Sequence, residues 1–588
     1  MDTFGAFEIR EIQLGVKSQR EVWSRFLAAN GLRAEKVDYC LGLYDSSDRL
    51  VGTASLLGNI IKEVALDESA REGSLANSLV SRLMSYAFEQ GHLNLMVFTK
   101  PEYLRTFRSL SFHKIGETRD VVLLESDSHG LSSYVHYLAS LRRQGRNGVI
   151  VMNANPMTLG HRWLIEHAAQ EVDNLYLIPV ADNDATEFSY HERVDILRRE
   201  TSSITNVTVC DGSPYTISAS TFPSYFLKEV SSSTDTHIAL DLDIFARHLA
   251  PALGVAVRFA GSEPTDELTR RYNERMLDML PERGVEVKVF DRLELGGGPV
   301  SASSVRRLMS ERSGASDILD IVTSSAVPYV FAHMAADALR DELSLTPKPG
   351  LVDSHDSGAH SDMDFYLMSR SIDALEPWFV KIAVAAYEGS EVSEIRALGI
   401  LAEKTMMEAT RGVNTHRGAL FCVGIALSAA CRLAAKGEML TPDALSEAIV
   451  TEACSYSQPG NTHGATAIRK YGRGGALDNA KTGYCQLFSS WLPFLRNLPS
   501  GEEHSRHLAL LHIMSELDDS NILYRCGRTT ADEVKEMAAA LKNEDLPPNL
   551  LTERLAELNR KFIERNISPG GAADMLSLTL FADRLTRS

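Results

Sequence analysis

Cysteine is scarce in this chain, and the few present form no pattern. Seven stand among 588 residues, at Cys40, Cys210, Cys422, Cys431, Cys454, Cys485 and Cys526. An odd number without Cys-x-x-Cys spacing argues against a disulfide framework or a zinc site, and for reduced thiols in a cytosol. Positive charge is also short, with 60 Lys and Arg against 78 Asp and Glu and a formal net charge of −18. Proteins that coat nucleic acid neutralise many phosphates, so no nucleic-acid partner is expected. The start, MDTFGAFEIREIQ, shows no basic stretch ahead of an apolar one, so no secretory leader is expected. The longest apolar run, GALFCVGIALSAAC (418–431), is too short to span a bilayer and reads as a buried helix. No membrane partner is expected, and the expected location is cytoplasmic. No repeat or low-complexity tract appears. The balance, 44% hydrophobic and 23% charged, is that of a globular chain, and 588 residues suit about three or four domains.

Three regions are legible. In residues 1–130, LVGTASLLG and LNLMVFTK read as strands, and SLANSLVSRLMSYAFEQG reads as a helix ended by Gly91. A return strand follows near VVLLES. In the second region, residues 147–328, GVIVMNA, NLYLIPV, VTVC, THIALDLDIF, VAVRFA and VEVKVF read as strands separated by helices. That alternation predicts a doubly wound parallel sheet, with ligands at the carboxyl ends of its strands. The third region, 330–588, is helical throughout, with the polar loops TPKPGLVD, GVNTHRG, LDDSN and ISPGG.

The chemistry concentrates at helix starts. GVIVM runs into NANPMTLGHRWLIEHA (153–168), where Pro156 stops the strand near Asn155. Apolar residues then recur at helical spacing from Trp163. Thr158, Gly160 and His161 therefore sit at a strand-to-helix turn, where main-chain N–H groups and the helix dipole favour an anion. GGGPVSASSVRRLM (296–309) repeats the idea: Ser301, Ser303 and Ser304 are good cap residues ahead of Arg306 and Arg307. Arg193, Arg198 and Arg199 in FSYHERVDILRR read mainly as surface or salt-bridged charges.

In the third region, TPKPGLVDSHDSGAHSDMDF (346–365) brackets Lys348 with prolines and supplies Asp353, His360, Asp362 and Asp364. A rigid loop presenting one lysine suits a polyphosphate, and carboxylates at a helix start suit a hard cation such as Mg²⁺. GVNTHRGALF offers Asn414, Thr415, His416 and Arg417, and the DDSN segment offers Asp518, Asp519 and Asn521. The expectation is one convergent pocket, with Asp362, Asp364, Asp518 and Asp519 as the metal set.

The first region resembles acetyltransferases in element order. That fold's pyrophosphate loop, Arg/Gln-x-x-Gly-x-Gly/Ala, corresponds to Arg71-Glu72-Gly73-Ser74-Leu75-Ala76. Ser74 replaces a glycine there, which favours a docking or structural role. The second region resembles the nucleotidyltransferase superfamily through its TLGH and SASSVR segments. With Gly261-Ser262-Glu263-Pro264 added, residues 1–330 are similar to the [citrate (pro-3S)-lyase] ligase family. The resemblance implies ATP-dependent activation of acetate and transfer of acetyl to the prosthetic-group thiol of the citrate lyase acyl carrier protein, yielding AMP and pyrophosphate. That chemistry puts His161 and Thr158 on the phosphates, Arg306 on the pyrophosphate, and Ser303 and Ser304 in its cradle, with Ser301 also ATP-binding and Asn155 and Gly160 shaping the turn.

Residues 330–588 resemble triphosphoribosyl-dephospho-CoA synthases through TPKPGLVD, SGAHSDMDF, GVNTHRGA, DDSN and SPGGAADML. The resemblance implies transfer of the triphosphoribosyl part of ATP to dephospho-CoA with adenine release. Lys348, Asp362 and Asp364 are then catalytic candidates, and Asn414, Thr415, His416 and Arg417 ATP-binding ones. One segment departs: GGALDNAKTGY (474–484) has Leu477 and Asn479 where the family has Arg and Glu, with Asp478 alongside. The expected whole is a multidomain protein: an α/β acetyltransferase-like domain, a Rossmann-like nucleotidyltransferase domain, then an all-α domain. Two alternatives stay open: service to malonate decarboxylase, whose prosthetic group has the same precursor, and a scaffold that binds without turnover.

Overall fold

The computed structural model describes residues 2–4, 7–70, 75–181, 187–216, 230–263, 266–295, 298–456, 476–499 and 503–587. Ser74, Pro264, Gly296, Gly297, Gly474 and Gly475 lie outside these. Packing divides the chain into two compact units, Met1–Val300 and Ser301–Ser588.

The first unit contains two large sheets and a two-stranded ribbon pairing Glu294–Leu295 with Gly298–Pro299. One has eight strands: β1 (Asp2–Phe4), β2 (Phe7–Glu11), β3 (Tyr39–Tyr44), β4 (Leu50–Leu57), β5 (Ile60–Leu66), β6 (Met96–Thr99), β7 (His113–Glu117) and β8 (Val122–Glu125). Their spatial order is β1-β2-β3-β4-β5-β6-β8-β7. Every neighbouring pair is antiparallel except β5 and β6, which run parallel. The helix Leu75–Glu89 lies on this sheet through Leu79, Val80, Leu83 and Ala87, all buried at helical spacing. Gly91, at φ 90°, ends it as the sequence pattern predicts.

The second sheet is wholly parallel and ordered β11-β10-β9-β12-β13, from β9 (Asn147–Met152), β10 (Asn174–Pro179), β11 (Val207–Val209), β12 (Val255–Gly261) and β13 (Glu286–Phe290). Chain order thus reverses beside β9, whose carboxyl end leads into Asn153–His161. In open parallel sheets that is where ligands bind.

One predicted strand is a helix. THIALDLDIF lies in the helix Val230–Ile244 and the π-turn Phe245–Leu249. The alternation Ile238, Leu240, Leu242, Ile244 reads as period two because the helix is buried on two sides. Leu240 and Ile244 join Phe98, Ile115 and Leu123 of the first sheet. Ile238, Leu242 and Phe245 join Val149 and Tyr176 of the second. A helix buried against two sheets has no single apolar stripe, so periodicity misassigns it.

The second unit is helical in every described element but the short bridging segments. Four helices form its centre: Val327–Ser344, Phe365–Tyr387, Arg417–Ala435 and Gly570–Thr586. Arg417–Ala435 is long and apolar enough to cross a membrane, yet 72% of its most apolar window is buried inside the protein. The run 418–431 is therefore a core helix, extended by flanking residues beyond the length read from the run alone. The unit also takes in helix Ala302–Ser310, which the sequence reading places in the region before it. Arg312 explains that boundary, since it pairs with Asp337 and Asp341 on Val327–Ser344. All seven cysteines are free thiols.

The two-sided burial of Val230–Ile244 predicts that Leu240→Ala costs about 2–5 kcal/mol, from lost transfer energy and a cavity that neither sheet can fill. Urea unfolding followed by near-UV circular dichroism measures it, and an unchanged midpoint contradicts the packing described.

Candidate functional site

The turn after β9 is built by two buried side chains and one helix cap. Ala154, buried, takes the left-handed φ of 47°, a conformation that costs an L-residue about 1–2 kcal/mol. Asn155 is buried, and its Oδ1 accepts from the Phe188 N–H at 3.1 Å. Thr158 caps helix Leu159–Gln170: its hydroxyl accepts from His161 N–H, and His161 Nδ1 accepts from Thr158 N–H at 3.1 Å. This is a capping box with imidazole in the place usually held by Glu or Gln. Because Nδ1 is an acceptor, the neutral ring carries its proton on Nε2, which becomes a donor. Gly160 has a structural reason for its identity. A Cβ there would lie 3.0 Å from the Val300 carbonyl oxygen, so the chain's own backbone makes the close approach.

Arg193 is not a surface charge. It is fully buried, and Nη1 donates to the Asn153 carbonyl at 2.9 Å, Asn153 Oδ1 at 2.6 Å and the Val180 carbonyl at 3.0 Å. Its Nε donates to the Phe188 carbonyl at 3.3 Å. One guanidinium thus ties the ends of β9 and β10 to the start of helix Tyr190–Thr201. The Ser189/Glu192 capping box that starts this helix was a visible signal for an inward-facing residue at 193. Arg198 and Arg199 do behave as surface charges, pairing with Asp211 and Asp195.

At the start of the second unit, Ser301 caps helix Ala302–Ser310. Its hydroxyl accepts from Ser304 N–H at 3.1 Å and lies 2.9 Å from Ser304 Oγ. Arg306 reaches Ser303 Oγ at 3.4 Å on an exposed face.

The helical unit brings the predicted loops together around a buried polar cluster. Lys348 is 1% exposed, and its Nζ contacts the Glu342 carboxylate at 2.5 Å and its carbonyl at 2.7 Å. It is an internal ion pair and presents no cation to a polyphosphate. Asp353 folds the same loop, accepting from the N–H groups of Lys348, His355 and Asp356. Asp519 is buried with both oxygens engaged: Oδ1 accepts from Asn521 N–H at 2.8 Å and Oδ2 from Ala572 N–H at 2.9 Å. Desolvation pushes its carboxyl up to about 6, against the pull of those amides. Asp574, two residues beyond Ala572, is held well above the carboxylate range by desolvation and then by Asp519 and Glu342. His416 is buried with Nδ1 on Ser371 Oγ at 2.9 Å, and Thr415 Oγ1 donates to the same oxygen at 2.7 Å. Desolvation, with the charge of Lys348, pushes the imidazole down to about 3. His360 bonds Ser568 Oγ at 2.8 Å, and burial, then Arg525, lowers its proton affinity.

The predicted metal set is not assembled. Asp362 has a side chain 61% exposed, Asp364 is spent as the cap of Phe365–Tyr387, and Asp518 pairs with Lys535 at 2.6 Å. Among the described residues no group of three or more His, Cys, Asp or Glu side chains is placed to hold a metal ion. These residues do not fit Mg²⁺. Asn414 and Arg417 lie exposed at the start of Arg417–Ala435, where Arg417 pairs with Glu403 at 2.5 Å. Sequence reasoning missed Glu342 and Asp574; each is an acidic residue inside an otherwise apolar helical pattern, and that was the available signal.

Two family descriptions match adjoining parts of the chain. "Citrate lyase ligase C-terminal domain" covers residues 147–330, and "ATP:dephospho-CoA triphosphoribosyl transferase" covers residues 329–588. The "[Citrate [pro-3S]-lyase] ligase" of Klebsiella pneumoniae is 42% identical over half of this chain and 88% of its own length. A Pseudomonas paraeruginosa protein named "Probable 2-(5''-triphosphoribosyl)-3'-dephosphocoenzyme-A synthase" is 38% identical over 43% of this chain and 90% of its own. The chain belongs to both families. The likeness to the solved structure of Thermotoga maritima TmcAL bound with alpha-thio ATP is faint, at 12% identity and a TM-score of 0.20, covering 59% of this chain and 95% of that one. The citrate lyase ligase part ends where the synthase part begins, and the chain joins a ligase to a transferase. The ligase match includes Ser301–Arg306, which pack with the synthase half.

Two outcomes follow from the geometry. Arg193→Met in the ligase half leaves the Asn153, Val180 and Phe188 carbonyls unpaired and should destabilise by about 3–5 kcal/mol in equilibrium unfolding. In the synthase half, the unfolded chain protonates a histidine near 6.5, whereas folded His416 resists until about 3. Its contribution to stability is therefore present above 6.5 and lost as pH falls. Asp519, raised from 3.8 to about 6, acts with opposite sign between those values. His416→Gln should gain stability over the unmodified protein by about 1.4 kcal/mol per pH unit between pH 6 and 4, read from urea midpoints.

Proposed function

We propose that this chain is a bifunctional maturation enzyme for citrate lyase. Its ligase half uses ATP to activate acetate as acetyl-adenylate, then acetylates the prosthetic-group thiol of the citrate lyase acyl carrier protein, releasing AMP and pyrophosphate. Its synthase half transfers the triphosphoribosyl part of ATP to dephospho-CoA and releases adenine, supplying the precursor of that same prosthetic group. The observation that carries the reading is the joining of the two families in one chain, each relative covered over most of its length. The ligase half is also what favours citrate lyase over malonate decarboxylase as the destination.

The turn after β9 suits the first reaction. Attack of a carboxylate on the α-phosphorus sends negative charge to the departing pyrophosphate, and donors fixed in advance stabilise it. His161 is such a donor: Thr158 N–H holds Nδ1, so Nε2 carries the proton to a phosphate oxygen. Thr158 and the first amides of helix Leu159–Gln170 add their dipole. Asn155 and Arg193 keep the turn in shape without touching the nucleotide. Ser301, Ser303, Ser304 and Arg306 form a second anion-binding helix start and are proposed to bind phosphate by their own cap geometry. In the synthase half, the cluster of Asp519, Asp574 and His416 is the proposed reaction centre, with Lys348 and Asp353 fixing its loop. No step is assigned to Mg²⁺. The protein is proposed to work in the cytoplasm, in keeping with its free thiols.

His161→Gln separates the two activities. Glutamine keeps a capping box with Thr158, so the helix start survives while the imidazole donor is lost. AMP formation from ATP, acetate and carrier protein should fall about 100- to 1,000-fold, and dephospho-CoA-dependent adenine release should be unchanged. Chromatography of the nucleotide products reads both. An enzyme forming neither AMP nor adenine before mutation overturns the bifunctional reading and leaves the scaffold.

A further inference from the structure

Breaking the bond between an anomeric carbon and a purine nitrogen leaves the purine anionic unless it takes up a proton as it departs. The group that meets this need must hold a proton near neutrality, where protein rather than water surrounds it. Asp574 lies near the start of helix Gly570–Thr586, and its carboxyl sits so close to Gly418 that any side chain there would collide with it. Ala419 N–H donates to this carboxyl, and the Asp574 main-chain carbonyl lies 3.6 Å from Cys422 Sγ. Part of the residue's surface remains open. The charges that act on it are those of Asp519 and of Glu342, the latter ion-paired with Lys348, and its own charge acts in turn on Cys422 and Tyr484.

An independent observation marks the same spot. Tyr484 is buried, and its hydroxyl has no hydrogen-bond partner among the described residues. Its backbone is at φ 49°, which is rare and costly for an aromatic residue. A buried, unpaired phenol within electrostatic reach of the Asp574 carboxyl lacks something to bond, and a purine ring edge supplies it.

We propose that Asp574 is the catalytic acid of triphosphoribosyl transfer, giving its proton to the leaving adenine, with the Tyr484 hydroxyl bonding the same ring. The proposal rests on the transferase half of the functional reading. The attacking hydroxyl oxygen of dephospho-CoA forms a bond to the anomeric carbon of ATP. The bond from that carbon to the adenine nitrogen breaks, and its electron pair goes to the adenine. The adenine takes the Asp574 proton and leaves neutral. The proton shed by the attacking hydroxyl passes through water to the Asp574 carboxylate and restores it. Desolvation and the negative charges of Asp519 and Glu342 keep the carboxyl protonated between turnovers. Asp519, with both oxygens engaged by main-chain amides, holds its loop and adds negative charge above about pH 6.

The test uses the full chain with ATP and dephospho-CoA, following adenine by chromatography. Asp574→Asn keeps an acceptor for Ala419 N–H and should lower kcat about 100-fold or more, with KM for dephospho-CoA within threefold. An ATP analogue methylated at N7 of adenine leaves as a neutral purine without a proton, and with it the Asn variant should recover to within about tenfold of the unmodified enzyme. A kcat within fivefold of the unmodified enzyme, or an equal deficit with both nucleotides, overturns the proposal. If the variant does not fold, the unmodified enzyme decides. Its turnover of ATP should decline on the alkaline side while turnover of the methylated nucleotide does not, and a decline shared by both overturns the assignment. An unmodified enzyme that releases no adenine at all overturns the transferase reading, and the acid with it.

Discussion

Main-chain groups taken out of water must be paired, and in both halves of this chain charged side chains do the pairing. Arg193 places its guanidinium among the carbonyls of Asn153, Val180 and Phe188. Asp353 collects the amides of its own loop, and Asp519 those of Asn521 and Ala572. Each is a buried ion or dipole that hydrophobic packing alone could not replace, because the loops it holds are irregular and expose unpaired backbone. The conformations of the two candidate centres depend on these contacts more than on the apolar cores beneath them.

This division of labour separates residues that shape a centre from residues that can act in it. Around the β9 turn, Asn155, Gly160 and Arg193 hold the backbone in place, and His161 Nδ1 completes the helix cap so that Nε2 carries the ring proton. In the helical half, Lys348 and Asp519 are engaged by Glu342 and by main-chain amides, and Asp574 is a half-buried residue whose carboxyl lies against Gly418. The two halves reach this arrangement with unrelated architectures, a parallel sheet in one and a bundle around Arg417–Ala435 in the other.

The sequence was most readable where local rules govern. The β9 strand end, the Thr158 cap, the Ser301 cap and the Gly91 stop all follow from residue type and spacing, and the structure shows each. It was misleading where burial has two sides, as in Val230–Ile244, whose alternating apolar residues serve two sheets. It was also misleading for charge. Lys348 looks exposed in a Pro-Lys-Pro loop, but Glu342, on the preceding helix, draws it inward. Asp362, Asp364, Asp518 and Asp519 look like a ligand set because they cluster along the chain, yet cap bonds and Lys535 engage three of them separately and leave Asp362 in solvent. Short sequence distance says nothing about which way a side chain is drawn.

The closeness of Gly418 to the Asp574 carboxyl has a historical consequence. A synthase half whose aspartate at 574 holds this position is best served by glycine at 418, because a larger residue there would push the carboxyl aside. Once the aspartate is gone the restriction lapses, and position 418 is free to drift. The pair is therefore a molecular record of use: an abandoned site should lose its glycine as readily as its acid. This chain has both, although its Leu477 and Asn479 differ from the pattern of the synthases it resembles.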